Sequence, residues 1–455
     1  MKHVKLIILF IAACFSISAD VKAQDSKKQD LTGNWQGIIE MGPTKLVVLI
    51  EIAEEGEKFE SYMSIPQQGA KGIVGNTLVN NSSIEIDFAA AGIKYSGVLS
   101  QGKINGYLVQ AGHKAPLDFL PVIEIEPKTE AKKNYTSEEV IIHNHNGEVN
   151  LSGTLSIPNG KGPFPAVILV SGSGPQNRDS EIFGHKPFAV QADYYSSRGI
   201  AVLRYDDRGV GKSTGDFQSA TTKDFASDAT TTFNFLKNRP EINSKKIGLL
   251  GHSEGGVIAP MVASEQSDVA FVVMLAGPGQ NGAELMITQK SLIESKMGIA
   301  KEDIEKGKTV FGGAYNIVTA FPNDNDLSDT LENYFDKAFE GQLDDKTKMA
   351  IVAQINTPWM LGFLRNQPST YLAKVNCPVF AINGSLDLQV PPQNLKLVKK
   401  EIEKNGNKKV VIKEYAGLNH LFQHAKTGMI NEYGTIEESI SPDVLKDVSD
   451  WIIKQ

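Results

Sequence analysis

A serine that can attack a carbonyl needs a sharp turn to expose its oxygen, a base to take its proton and an acid to orient that base. The apolar run Ile247 to Leu250 leads into Gly251-His252-Ser253-Glu254-Gly255, and a helix-forming stretch follows. Only small residues at Gly251 and Gly255 let the backbone turn tightly enough to hold the Ser253 hydroxyl out, and the helix start lies near any developing oxyanion. Asp387 follows the apolar run Val379 to Asn383, and His420 follows the run that ends at Tyr415. Taken singly, Asp387 reads as a turn or helix-cap residue, and His420 as a packed loop histidine with His424 as a rival. Serine, aspartate and histidine in that order, each past a strand end, predict Ser253 as nucleophile, His420 as general base and Asp387 as orienting acid. The turn from Ser171 to Asp179 is glycine-rich, and the backbone amides of Ser173 and Glu254 are the expected oxyanion donors. An ordinary glycine-rich turn is the alternative for Ser173.

The elements that must carry these groups alternate between strands and helices. Strands are expected at Glu139 to His143, Val149 to Ile157, Ala166 to Ser171, Ile200 to Tyr205, Lys246 to Gly251, Val269 to Leu275, Val379 to Asn383 and Lys409 to Tyr415. Helical patterns lie at Lys186 to Arg198, Lys223 to Arg239, Gly255 to Glu265, Gln393 to Asn405 and Pro442 to Lys454. Runs such as Ala166 to Val170 and Phe271 to Leu275 suit strands buried on both faces, so the fold class is α/β with a doubly wound, mostly parallel sheet. Residues 278–374 break the rhythm with helices at Ala283 to Met297, Lys301 to Val310, Leu327 to Phe339 and Lys346 to Asn356, and are too long for a loop. A helical cap insertion is the expectation there. Upstream, period-two runs such as Lys45 to Ile52, Ser83 to Phe88 and Lys103 to Val109 predict a small all-β domain, open or closed into a barrel. The expected organisation is a β-rich domain at 24–126, a polar linker at 127–138 and the α/β unit at 139–455.

The 455 residues call for more than one folding unit, and 41% apolar with 22% charged residues fits a globular chain. Met1 to Lys5 is basic, Leu6 to Ile17 is apolar, and small residues precede Gln24, so residues 1–23 read as a signal peptide and the protein as exported, periplasmic or secreted. An apolar run of about 12 residues is short of the ~20 that a bilayer needs, so no integral span is expected. Cys14 after Ile11-Ala12-Ala13 is the alternative, a lipidated N-terminus. Cleavage near Ala23 leaves only Cys377, which excludes an internal disulfide. Removing Lys2, Lys5, Lys22 and Asp20 takes the formal charge from −7 to −9, and no basic cluster suggests a nucleic-acid partner. The oligomeric state is unspecified.

The stretches Ser171 to Asp179, Arg204 to Gly215, Gly251 to Gly256, Gly384 to Asp387 and Asn419-His420 resemble the α/β-hydrolase superfamily, especially bacterial exported serine esterases with an N-terminal β-rich domain. The resemblance covers roughly Ser137 to Gln455. It implies a serine carboxylesterase acting on small-molecule esters, with short acyl chains expected, through an acyl-enzyme and without a cofactor. Many members carry a His-Gly pair before the oxyanion turn, where this chain has Ser171-Gly172. Gly209-Val210-Gly211-Lys212-Ser213 mimics a phosphate loop, but Asp206 stands where its first glycine is required. The Arg204 to Arg208 run reads instead as a loop packed by internal ion pairs. His143 and His145 lie on an expected strand edge with no carboxylate or cysteine cluster in view, so no metal is expected. A serine peptidase of the prolyl-oligopeptidase kind is one alternative, although about 100 residues without repeats cannot form its propeller. A binding protein that kept the fold without catalysis is the other.

Overall fold

Alternating burial along the first part of the chain closes a sheet on itself. Its strands are β1 (Gly33–Met41), β2 (Thr44–Glu55), β3 (Lys58–Ile65), β4 (Ala70–Asn80), β5 (Ser83–Phe88), β6 (Ile93–Ser100), β7 (Lys103–Gln110), β8 (His113–Pro116) and β9 (Phe119–Pro121). They run in the order β6-β5-β4-β3-β2-β1-β9-β7-β8, and an antiparallel β6–β7 ladder joins the ends into a barrel. Closure pairs β6 on both sides, and the short β8 stays at the edge beside β7. Trp35, Met63, Phe88, Tyr95 and Phe119 fill it. The two polar handles are satisfied: Trp35 Nε1 donates to the Leu31 carbonyl at 2.9 Å and the Tyr95 hydroxyl to the Leu117 carbonyl at 3.1 Å.

The computed structural model describes residues 31–41, 44–55, 58–65, 70–80, 82–110, 113–122, 133–146, 148–321 and 326–455. The expected signal segment, with Cys14, and the first half of the expected linker lie outside the described residues. Among the described residues, no helix is long and apolar enough to cross a membrane.

The second sheet has eight strands: β10 (Tyr135–Asn144), β11 (Val149–Pro158), β12 (Phe164–Val170), β13 (Ala201–Tyr205), β14 (Ile242–His252), β15 (Phe271–Leu275), β16 (Val379–Gly384) and β17 (Val410–Tyr415). The order is β10-β11-β13-β12-β14-β15-β16-β17, antiparallel through β10, β11 and β13 and parallel from β13 to β17. Alternate residues of β12 face opposite layers. Ala166, Ile168 and Val170 pack with α2 (Thr222–Lys237), α3 (Gly255–Glu265) and α10 (Asn394–Glu403), whereas Val167 and Leu169 pack with α1 (Pro187–Ser197) and α11 (Pro442–Ile452). Burial on both faces is why these strands read as continuous apolar runs.

β10 begins at Tyr135, inside the stretch expected to be linker. Thr136 to Glu139 are exposed on this edge strand, so no alternation marks them, and the strand is held by its ladder to β11. Between β15 and β16 lie α4 (Gly282–Lys296), α5 (Lys301–Ala320), α6 (Leu327–Ala338), α7 (Asp345–Ile355), α8 (Pro358–Leu364) and α9 (Ser369–Leu372). α5 runs ten residues past the expected end at Val310 (320 − 310). Gly312 and Gly313 disfavour helix by about 1 kcal/mol each. Packing overrides that cost: the Tyr334 hydroxyl of α6 donates to the Val310 carbonyl at 2.8 Å, and a Cβ on Gly313 would overlap that hydroxyl. The chain separates into two compact units, one of Met1–Glu124 with Met297–Ile299 and Phe339–Gln354, the other of the remaining residues.

Candidate active site

β14 delivers Ser253 to the C-terminal edge of the sheet, where open α/β sheets bind ligands. Ser253 takes φ +55°, a left-handed value uncommon for a residue with a side chain, and α3 starts two residues later. The turn is possible because of its glycines. A Cβ on Gly251 would run into the Gly255 carbonyl, and one on Gly255 into the Val170 carbonyl.

The loops after β16 and β17 bring Asp387 and His420 together. His420 Nδ1 lies 2.8 Å from Asp387 Oδ2, with both side chains withdrawn from solvent. Asp387 Oδ1 accepts from the amides of Gln389 at 2.8 Å and Val390 at 2.9 Å, and Oδ2 also from Asn383 Nδ2 at 3.3 Å. These bonds fix the carboxylate, which in turn makes Nδ1 the protonated nitrogen and leaves Nε2 free to accept a proton. The loop around His420 is pinned by buried Asn419, whose Oδ1 accepts from the amides of Leu421 and Gln423 at 3.0 Å each. His424 points away, largely exposed and 2.6 Å from Glu438 Oε1, so it is not a second partner for Asp387.

His252 ties Ser253 to this loop. Its Nε2 donates to the His420 carbonyl at 2.8 Å, and the two rings lie 4.7 Å apart. Burial, then the neighbouring His420, pushes the His252 imidazole down to about 3, so it is neutral at ordinary pH. Among the described residues the Ser253 hydroxyl has no hydrogen-bond partner, as is common for a nucleophile before substrate arrives.

The turn after β12 passes directly over the serine: a Cβ on Gly172 would stand 3.1 Å from Ser253 Cβ. Ser171, in place of the histidine common at this position, donates its hydroxyl to Asp207 Oδ1 at 2.6 Å, and Asp207 Oδ2 accepts from the Gln176 amide at 2.9 Å. Asp207 therefore clamps both ends of the turn carrying Ser173. The amides of Ser173 and Glu254 meet no acceptor among the described residues, which leaves both donors available.

The neighbouring run matches its expected packing role. Arg204 pairs with Asp179, Arg178 holds Asp206 through Nε at 3.1 Å and Nη2 at 2.9 Å, and Arg208 holds Asp228 through Nε at 2.7 Å. Asp206 Oδ2 also accepts the Lys212 amide at 3.1 Å, so a side chain of the loop itself occupies a donor that a phosphate would need. Burial alone would raise the Asp206 carboxyl, and the Arg178 hydrogen bonds bring it below the usual range. Asp228 goes the other way, held up by burial despite Arg208.

The side chain of Glu254, which sequence reasoning left without a role, links the serine turn to the inserted helices. It is buried; Oε1 accepts from Thr222 Oγ1 at 2.7 Å, and both oxygens lie 3.0 Å from Trp359 Nε1. Burial pushes its carboxyl up, and the Thr222 and Trp359 donors pull it back. Trp359 stacks on Phe363 at 5.2 Å, and Met360, Phe363 and Leu364 are buried. One expectation is corrected here. The His143 and His145 pair does have a carboxylate beside it, because the turn after β10 swings Glu148 Oε2 to 3.2 Å from His143 Nε2.

Residues 146–416 match the sequence profile of the X-Pro dipeptidyl-peptidase (S15) family, more than half of the chain. The chain belongs to this family. Its fold is that of the α/β-hydrolases, preceded by a closed antiparallel barrel, and it is a hydrolase. The S15 match covers Ser253 and Asp387 and ends before His420. Esterase EstD of Thermotoga maritima is 26% identical over 355 residues, covering 78% of this chain and 74% of its own. Esterase FrsA of Escherichia coli is 27% identical over 132 residues, 29% of this chain and 30% of its own. Among solved structures, the Pyrococcus furiosus esterase Pf2001 covers 72% of this S15-family chain and 94% of its own at 16% identity, with a TM-score of 0.43.

Proposed function

We propose that the protein is a serine carboxylesterase in which Ser253 attacks the ester carbonyl, His420 takes its proton and Asp387 orients His420. The observation that carries this reading is the buried 2.8 Å contact of His420 Nδ1 with Asp387 Oδ2 beside a serine held at φ +55°. The amides of Glu254 and Ser173 would stabilise the oxyanion, and His420 would then protonate the leaving alcohol. Water repeats the cycle to free the acid. The long match to an esterase supports an ester as substrate, and short acyl chains are the expectation. Membership of the S15 family supports a second reading, release of X-Pro dipeptides by the same residues.

The deciding experiment is hydrolysis of p-nitrophenyl esters from acetate to dodecanoate beside an Ala-Pro p-nitroanilide. Ester turnover that falls at least about a thousandfold in Ser253→Ala and about ten-thousandfold in Asp387→Asn, with both variants folded, is expected. Anilide cleavage without ester preference would establish the peptidase, and near-normal turnover in Ser253→Ala would remove the nucleophile.

A further inference from the structure

The hairpin of β10 and β11 carries a cluster that the proposed chemistry does not use. His143 is the penultimate residue of β10, opposite Asn150 in the ladder, and His145 lies two residues on, in the turn. Residues at i and i+2 of an extended strand share a face, and here the two rings meet at 4.4 Å. Glu148 returns from the turn, and one donor atom from each of the three side chains lies within 4.8 Å of the others.

Protons sharpen the picture. His143 Nδ1 is 2.8 Å from Asn150 Oδ1, an oxygen that only accepts, so Nδ1 carries the hydrogen. In a neutral ring the lone pair of Nε2 then faces Glu148 Oε2 at 3.2 Å, acceptor against acceptor. A metal ion between them would accept both lone pairs. Two ligands at about 2.0–2.1 Å from a tetrahedral zinc ion stand ~3.3 Å apart, close to this separation. Asn150 does for His143 what an outer partner does for a metal-bound imidazole, fixing the tautomer that leaves Nε2 bare. Asn150 is itself anchored, since its amide donates to Thr214 Oγ1 at 2.8 Å and its carbonyl accepts from the Thr214 amide at 2.9 Å.

We propose that His143, His145 and Glu148 bind a divalent transition-metal ion of the zinc class, with the fourth position open to water. Two imidazoles and a carboxylate suit zinc, and the absence of thiolate disfavours softer ions. The ion would clasp the turn between β10 and β11, at the end of the sheet where Gly153 of β11 pairs with Tyr205 of β13.

The test uses full-length, tag-free protein stripped with a chelator, dialysed against zinc at about pH 7.5 and assayed for bound metal by mass spectrometry. About one equivalent of zinc is expected on the wild type and under a tenth of that on the double variant His143→Ala, His145→Ala. Asn150→Ala should weaken binding by ~10–100-fold, as loss of an outer partner does. Circular dichroism confirms folding; should the alanine variant unfold, His143→Gln with His145→Gln replaces it. Cobalt gives a second readout, tetrahedral visible bands in the wild type only. Substoichiometric zinc on the wild type, or zinc kept by the double variant, would overturn the site. None of these outcomes depends on esterase or peptidase turnover.

Discussion

His252 stands one peptide before Ser253 with its ring against His420, so its protonation bears on both. Burial keeps the folded imidazole neutral down to about 3, whereas in the unfolded chain it titrates at the ordinary value of 6.5. Below 6.5 the unfolded chain gains a proton that the folded chain refuses. Stability from this residue is therefore complete above that value and declines as pH falls toward the folded value, by at most about 1.4 kcal/mol per pH unit. Urea midpoints should fall between about pH 7 and pH 5, and His252→Asn, which cannot titrate, should flatten that slope whatever its own cost. A second residue-scale expectation concerns Asp207, which clamps Ser171 and Gln176. Losing an oxyanion donor outright costs about 10²–10³ in kcat. Asp207→Ala loosens the turn without deleting a donor, so kcat for a p-nitrophenyl ester should fall at least about tenfold with KM little changed. Equal loss through KM alone would make Asp207 a substrate-binding residue instead.

Helix α8 meets the serine turn through Trp359, whose indole N–H is shared by both oxygens of buried Glu254. Trp359→Phe keeps an aromatic ring to stack on Phe363 but removes that donor, leaving the carboxyl with Thr222. A buried group stripped of a partner costs about 1–3 kcal/mol. The carboxylate is the form that needs the donor, and burial already pushes the Glu254 carboxyl above the usual glutamate range. The deficit in denaturation free energy should thus grow as pH rises and the carboxyl ionises, and be smallest at low pH. This link was illegible in the sequence, because 105 residues separate the partners and neither has a local signature. Ser253 and Asp387 stood out because each follows an apolar run that a buried strand explains, β14 and β16, whereas β17 before His420 is a largely exposed edge strand and His420 was legible only from its place after the other two. Where local and tertiary preferences disagree, the sequence misleads: Gly312-Gly313 looks like a helix end, and only the Tyr334 hydroxyl shows why glycine is required inside α5. Tyr135 to Glu138 looks like linker because an edge strand can be polar on most of its surface. Glu148 looked remote from the histidines because a turn, and no periodicity, returns it to them.

At the scale of the whole molecule, two sets of apolar residues are buried in two separate sheets. Barrel residues such as Phe88 and Tyr95 pack among themselves, while the α/β sheet has its own layers on both faces. Units with separate cores are each able to unfold cooperatively, and a chain built of two of them need not unfold in one step. Scanning calorimetry should therefore resolve two transitions. Phe88 is fully buried in the barrel, where truncation to alanine costs about 3–5 kcal/mol. For a unit near 100 residues, each kcal/mol moves the midpoint by roughly 4–8 °C. Phe88→Ala should move one transition down by well over ten degrees, roughly 12 °C or more on that scale, and leave the other in place. A matched change against the second sheet, Phe233→Ala in α2, should do the reverse, since Phe233 is equally buried in the cluster that holds residues of β12 and α3. Movement of both transitions in either variant would mean that the two units share stability, and the barrel would then have to be counted among the parts that hold the serine turn in shape.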